Sequence, residues 1–363
     1  MLSWFQQEIY ATKIPATIIL HNRGRNSMKT ILCNTAFSAG TIAFGLNMAL
    51  LLSAAHAQTA ATGAQAYPVK SIRYIVPFPP GGTTDILGRL IGQKLSEAWG
   101  QTVIIDNRSG AAGSVGAEAA AKAPPDGYTL LGGTISSHSI NSSIYSKLAY
   151  HPLRDFAPIT RIATVPNVLV VHPSLPVKTV REFAALAKAR PGQLRFASSG
   201  SGTSQHLSGE LFNLLTGVKM IHIPYKGGAF AMTDLIGGQI ELSFENAPNC
   251  VPHVQSGKLR AVGVTTLTRT PALPDVPPIN DTVPGFDVGS WQGLFVPAGV
   301  PPAIISKLNS EVRRILALDD VRNRIVGLGA EVATTTPEQF IEFIKAEMTK
   351  WEKVVKAAGA RVD

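Results

Sequence analysis

The sequence predicts an α/β protein in which mostly parallel sheets are covered by helices. Short runs rich in β-branched residues alternate with helical patterns along nearly the whole chain. The first run, at 72–76, is followed by a helical pattern over 84–98, in which Leu87, Ile91 and Leu95 recur at a spacing of four. Such alternation is typical of parallel sheets with helices on both faces.

The later elements continue the same alternation. Strands are predicted at 102–105, 128–131, 168–171, 194–197, 220–223, 241–244 and 259–265. Helices are predicted at 114–122, 180–189, 204–215, 228–236, 249–256, 302–317, 319–327 and 336–358. Gly100 is a stop signal for the first helix, and the Thr336 to Gln339 sequence is a capping box for the last. Sheets of this class bind ligands at the carboxyl ends of their strands, so the strand-to-helix turns are the candidate sites.

The amino-terminal residues 1–57 have the pattern of a leader, with the signal peptide proper at 28–57. Basic residues precede an apolar run over 42–52, and the run ends in Ala55-His56-Ala57, a small-residue cleavage signal. Cleavage after Ala57 would release a periplasmic protein that begins at Gln58. Nucleotide cofactors and nucleic acid are scarce in that compartment, which disfavours many classes of enzyme.

Composition and charge exclude further classes of function. The formal net charge is +9, but the basic residues are dispersed and no aromatic residues are interleaved with them, so nucleic-acid binding is not expected. The histidines lack the spacing of a metal site, and no cofactor is expected. Only Cys250 follows the leader, so the mature chain has no internal disulfide.

Two strand-to-helix turns have the composition of an anion-binding corner. The first follows the 72–76 strand and includes Pro80, Gly81, Gly82, Thr83 and Asp85. Glycines let backbone N–H groups approach a ligand, and the helix that follows presents a partly positive amino terminus. The alternative is a tight turn in which Thr84 or Asp85 serves only as a cap.

The second turn precedes the 204–215 helix. Its candidate ligand-binding residues are Ser199, Ser201, Gly202, Thr203 and Ser204. Hydroxyl and backbone N–H donors in such a turn suit the oxygens of a carboxylate or phosphate. The turn is neither a Walker A loop nor a G-x-S-x-G nucleophile elbow. His138, Lys226 and Glu245 are weaker candidates at other turns.

Several motifs in this order resemble the Bug family of extracytoplasmic solute receptors, the binding components of tripartite tricarboxylate transporters. The motifs are Tyr67-Pro68, IVPFPPGGTTD at 75–85, Asp106-Asn107-Arg108 with Gly110 and Gly113, PDGYTL at 125–130, IPYKGG at 223–228 and WQGLFVPAGVP at 291–301. They span essentially the whole chain after the leader. Glu245 departs from the pattern, because many relatives have aspartate at this position.

The resemblance implies a two-domain periplasmic binding protein, or Venus flytrap, whose two sheets are joined by crossing strands. Domain I would comprise 68–166 and 290–363, and domain II would comprise 167–289. A ligand carboxylate would be held between the two turns described above, partly through water from the Pro80 side. His138 and Lys226 are implied ligand contacts by the same comparison.

The sequence therefore favours a monomeric, non-enzymatic receptor that binds a small carboxylate and delivers it to membrane permease subunits. The ligand class stays open among dicarboxylates, amino acids and aromatic acids. One alternative is a ligand-sensing subunit that serves a membrane signalling kinase. A second alternative is a secreted serine hydrolase that uses Ser201 or Ser204.

Overall fold

The central feature of the fold is one long strand that belongs to two sheets. A computed structural model describes residues 67–362. Its strands are β1 (Ile72–Val76), β2 (Val103–Asn107), β3 (Thr129–Thr134), β4 (Phe156–Val171), β5 (Arg195–Ser198), β6 (Ile221–Pro224), β7 (Leu242–Asn246), β8 (Arg260–Val264), β9 (Gly289–Pro297) and β10 (Glu331–Val332). The predicted leader, signal peptide and cleavage point, over 1–57, lie outside the described residues.

The helices match the predicted series closely. They are α1 (Thr83–Trp99), α2 (Ser114–Ala121), α3 (Asn141–Ile144), α4 (Val180–Ala189), α5 (Ser204–Thr216), α6 (Gly228–Ile236), α7 (Ala247–Gln255), α8 (Pro302–Leu316), α9 (Asp319–Gly327) and α10 (Pro337–Ala358). A short π-helical segment, Ser136–Ile140, leads into α3. The predicted alternation of strands and helices is confirmed.

The strand order is β2-β1-β3-β9-β4-β7-β5-β6, with β8 and β10 also paired to β4. The outer strands are parallel, since β1 pairs with β2 and β3, and β5 pairs with β6 and β7. The centre is antiparallel, because β4 runs opposite to β7, β8 and β9. The sheets are therefore mixed, and the predicted parallel pairing describes only their outer strands.

Strand β4 changes its partners partway along its length. Its residues from Phe156 to Pro166 pair with β9, and those from Asn167 onward pair with β7. The crossing strand that the family resemblance implied is thus present. The domain boundary expected between 166 and 167 stays a prediction, which this change of partner supports.

The helix ends follow the local sequence signals. Gly100 ends α1 in the left-handed conformation, with φ of 65°, where glycine has no steric cost. Thr336 and Gln339 form the predicted capping box at the start of α10. Phe340, Ile344 and Trp351 of α10 are fully buried in the core. No helix within residues 67–362 is long and apolar enough to cross a membrane.

Candidate ligand-binding site

A small polar cavity lies where four helices begin. These helices are α1, α5, α6 and α7, and each follows a strand whose carboxyl end points to the same region. The cavity volume is about 30 Å³. Its wall is formed by Phe78, Pro79, Gly82, Thr83, Thr84, Thr134, Ser136, Ser199, Thr203, Ser204, Gln205, Gly228, Glu245, Asn246, Asn249, Ser290 and Gln292.

The described wall of the cavity carries hydrogen-bond donors but no basic side chain. None of the described residues that line the cavity is lysine or arginine, and the ionisable group among them is Glu245. The first N–H groups of a helix have no intrahelical partner and carry partial positive charge. The helix amino termini, together with hydroxyl and amide side chains, therefore supply the donors for a bound oxyanion.

Asp85 holds the first turn in place through hydrogen bonds on the side away from the cavity. Its carboxylate accepts hydrogen bonds of 2.9 Å from the Gly81 N–H, from Arg89 Nε and from Asn107 Nδ2. Burial alone would raise the pKa of Asp85, but these hydrogen bonds outweigh it and hold the pKa below its usual range. Asp85 therefore fixes the Pro-Gly turn in place, and it does not line the cavity.

The second wall is a turn held by its own hydroxyl groups. Thr203 is the N-cap of α5: its Oγ1 accepts from the His206 N–H at 3.4 Å and donates to the Gly200 carbonyl at 2.7 Å. Ser198 accepts from the Gly200 N–H and bonds His222 Nε2 at 2.6 Å. Ser199 is left facing the cavity, where its Oγ accepts from Gln205 Nε2 at 2.9 Å.

Gly202 is required by the backbone of this turn. Its φ is +87°, and a Cβ at this position would lie 3.2 Å from Ile144 Cγ2 and 3.3 Å from Asn141 Oδ1. A side chain would therefore point toward α3 and away from the cavity. Gly202 shapes the turn and does not contact the cavity itself.

The structure brings together only part of the predicted site. Gly82, Thr83, Ser199, Thr203 and Ser204 line the cavity. Pro80, Gly81, Asp85 and Gly202 belong to the same turns but stand outside its wall. The predicted anion-binding corners thus face one cavity, and several of their residues act as scaffold.

His138 lies in the hydrophobic core and not at the cavity. Its ring stacks on Phe295 at 3.8 Å between centroids, and its exposed fraction is zero. Burial lowers the pKa of His138 to about 3, so the ring is neutral. Ser136, in the same turn, does line the cavity, so the segment reaches the site although His138 does not.

Ser201 and Lys226 line a wider groove beside the cavity, with a volume of about 440 Å³. Phe78 and Ser199 belong to both walls, so the groove adjoins the cavity. Lys226 is exposed there. The contact expected from Lys226 would therefore be at the mouth of the site.

Several lining residues were missed by the sequence reasoning. The segment after β7 contributes Asn249, and strand β9 contributes Gln292, whose Oε1 accepts from Thr84 Oγ1 at 3.0 Å. Gln292 sits in the WQG motif quoted above, so its position was visible but not its role. Asn249 lies in the first turn of α7, which follows directly after β7 and Glu245.

The geometry offers little support for hydrolysis or metal binding. Of the serines that line the cavity, none bonds a histidine in the described part of the chain. Ser204 Oγ has only 3.4 Å contacts with Asn167 and Gln205. Within residues 67–362, no group of three or more His, Cys, Asp or Glu side chains is placed to hold a metal ion.

The fold, with a polar cavity at its strand-to-helix turns, is that of one class of protein, the α/β solute-binding proteins. The sequence profile described as "Tripartite tricarboxylate transporter family receptor" matches residues 87–360. The chain belongs to this family.

Curated relatives and solved structures agree with this assignment. The chain is 37% identical to protein BugT of Bordetella pertussis over 305 residues, which is 84% of this chain and 94% of BugT. It is similar to R. palustris Rpa4515, solved with adipate, at 40% identity and a TM-score of 0.80, covering 82% of this chain and 100% of that one. It is also similar to MatC of Rhodopseudomonas palustris, solved with bound malate, at 35% identity and a TM-score of 0.76, covering 80% and 100%.

Proposed function

We propose that this protein is a periplasmic receptor that captures one small carboxylate in the cavity and delivers it to the permease subunits of a tripartite transporter. The observation that carries the proposal is the convergence of four helix amino termini on one buried cavity that has no lysine or arginine on its wall. A monomeric mature chain, beginning at Gln58 after cleavage, belongs to the same proposal. Relatives solved with adipate and malate support the choice of a carboxylate.

The ligand carboxylate would be held between the two turns. Thr83 Oγ1 is buried and has no hydrogen-bond partner, so it is free to donate to a ligand oxygen. Ser199, Thr203 and Ser204 face it from the second turn. Each charge-assisted hydrogen bond of this kind contributes about 1.5–3 kcal/mol.

The cavity has to widen for a ligand to enter. Thr83, Ser199 and Ser204 on its two sides are buried, so the two turns would have to separate to admit a ligand. A ligand that contacts both turns would stabilise the closed arrangement through those contacts, and it would leave when the turns separate. Capture and release of this type need no nucleophile and no bond cleavage.

The test is thermal unfolding of residues 58–363 against a panel of dicarboxylates, monocarboxylates, amino acids and phosphate esters. A ligand that binds only the folded state raises the midpoint by mass action. We expect a shift with carboxylates, reduced in Ser199→Ala and retained in Ser256→Ala, which alters an exposed serine outside the cavity. The protein is first unfolded, dialysed and refolded, which removes any ligand retained from expression. If this refolded protein shows no shift with any carboxylate, the proposal is contradicted.

A further inference from the structure

Besides Thr83 Oγ1, two buried polar atoms on the cavity wall lack a hydrogen-bond partner, and they lie where β7 leads into α7. They are Glu245 Oε2 and Asn249 Nδ2, on side chains of residues that are 1% and 8% exposed. Buried polar atoms are nearly always paired, so two unpaired atoms facing one cavity indicate a ligand that supplies their partners. The two anion-binding turns recognised in the sequence do not include either residue.

The two groups are neighbours because Gly228 leaves room for them. A Cβ on Gly228 would lie 2.7 Å from Asn249 Nδ2, 3.0 Å from Glu245 Oε1 and 3.0 Å from Ser199 Oγ. Any side chain at the start of α6 would therefore push into this group of polar atoms. The glycine brings the amino terminus of α6 against the same part of the cavity.

The hydrogen bonds of Glu245 assign different roles to its two oxygens. Oε1 accepts from the Asn246 N–H at 2.9 Å and from Gln205 Nε2 at 3.2 Å, as a carbonyl oxygen would. Oε2 accepts from neither, so it is the oxygen left to carry a proton and donate it. Burial raises the pKa of Glu245, and the hydrogen bonds from Gln205 and Asn246 only partly oppose this. The Asn249 amide, a further donor close to the carboxyl group, also opposes the rise in pKa.

The ionisable groups around Glu245 do not supply a counter-charge. The Cys250 thiol packs directly behind it, with Sγ 3.8 Å from the Glu245 carbonyl oxygen, and burial raises the pKa of that thiol as well. On α5, α6 and α1, His206 is engaged with Gly202 and His222, Asp234 with Tyr225, and Asp85 with Arg89. Lys226, just before α6, lies exposed in the adjoining groove. At the far end of α7, burial lowers the pKa of His253, and the nearby Lys258 lowers it further.

We propose that Glu245 carries a proton at neutral pH and that its Oε2 hydroxyl and the Asn249 amide form a second oxyanion subsite. This subsite would take the second carboxylate of a dicarboxylate whose first carboxylate lies between the two turns, so the inference rests on the proposed function. Two donors facing the ligand disfavour an ammonium group at this position. The receptor would then prefer dicarboxylates over α-amino acids of the same length.

The binding test compares succinate, adipate, butyrate and aspartate by titration calorimetry between pH 6.5 and 9. In the wild type, affinity for the preferred dicarboxylate should fall up to tenfold per pH unit above the pKa of Glu245. Glu245→Gln keeps a donor and should bind that dicarboxylate with no such pH dependence. Glu245→Leu should lose more than tenfold, and the control Glu331→Gln, at an exposed position, should behave as the wild type.

Other outcomes separate the two proposals. Binding of aspartate that is strong in the wild type and lost in Glu245→Gln would show an ionised Glu245 that pairs with ammonium, and would overturn the inference alone. Dicarboxylate affinity that is equal in all four proteins would do the same. Failure of the wild type to bind any carboxylate would overturn the proposed function and, with it, the subsite.

A measurement without ligand tests the proton directly. The infrared difference spectrum between wild type and Glu245→Gln at pH 7 should contain the carbonyl stretch of a protonated carboxylic acid. A spectrum with only carboxylate bands would overturn the inference, whatever the binding data show.

Discussion

Acidification from pH 7 to pH 5 should destabilise the protein through two stacked histidines behind the second turn. The rings of His206 and His222 lie 4.0 Å apart between centroids. His206 Nδ1 accepts from the Gly202 N–H at 3.2 Å, and His222 bonds Ser198. Burial lowers the pKa of His206 to about 4 and that of His222 to about 3, the latter helped by the neighbouring ring.

The magnitude follows from proton linkage. A histidine in the unfolded chain titrates near 6.5, so at pH 5 the unfolded state binds protons that the folded state excludes. The stability that these neutral rings contribute is complete above about pH 6.5 and is lost as the pH falls toward their folded pKa values. At pH 5 the loss is about 2 kcal/mol for each ring. His138, with a pKa of about 3, adds a similar amount.

The assay is urea unfolding of residues 58–363 at pH 7 and at pH 5, with tryptophan fluorescence as the signal that reports unfolding. The three rings together should cost the wild type about 6 kcal/mol, and Glu245 should offset part of this loss, because a carboxyl group with a raised folded pKa gains stability as the pH falls. The His206→Gln/His222→Gln variant should lose about 4 kcal/mol less than the wild type, which is the part that belongs to these two rings. The pKa of Asp85 is lowered in the folded protein. The stability that its ionised form contributes is therefore lost only below about pH 4, outside the pH range of this test.

The control is His151→Gln, which replaces an exposed histidine and should follow the wild type. Equal losses in the wild type and in the double variant would refute the assignment of the acid sensitivity to this pair. A wild type that is as stable at pH 5 as at pH 7 would refute the neutral, buried state of all three rings.

Three further predictions concern the cavity wall and the residues that support it. Asp85→Ala should lower the free energy of unfolding by about 3 kcal/mol, measured with urea, because three hydrogen bonds to a charged group are lost; a change below about 1 kcal/mol would contradict the scaffold role. Gly228→Ala should weaken carboxylate binding more than tenfold in calorimetry because its methyl group meets Asn249, whereas the control Gly327→Ala places a methyl in open space and should bind normally. Thr83→Val should leave the unfolding midpoint unchanged or higher, since its Oγ1 has no partner, and should weaken binding about tenfold to a hundredfold; a lower midpoint with unchanged affinity would contradict this.

Periodic helices and turn chemistry made most of the fold predictable. The α4 and α6 ranges, and the capping box of α10, follow from local sequence signals that tertiary contacts do not override. The amino-terminal part of β4 escaped detection, because Pro158 and Pro166 interrupt its apolar pattern. Its antiparallel pairing with β9 is a long-range contact that no local pattern encodes.

The candidate site was predictable where composition alone marks it. Glycine-rich and hydroxyl-rich turns located both walls of the cavity, because backbone access requires those residue types. Composition does not say which way a side chain points, so Asp85, Gly202 and His138 were grouped with residues that face the cavity. Asn249 sits on an ordinary helical turn and is brought to the cavity only by the packing of α7.

The sharing of β4 between two sheets limits how this protein can be recombined with its relatives. Residues 167–171 are an inner strand for β7 and β8, yet they are continuous with the strand that pairs with β9. A chimera that exchanges the segment 172–288 alone would divide one cooperative sheet between two parental sequences. Exchanges that alter ligand preference and preserve folding should therefore transplant single turns, such as 245–249, onto an unchanged β4.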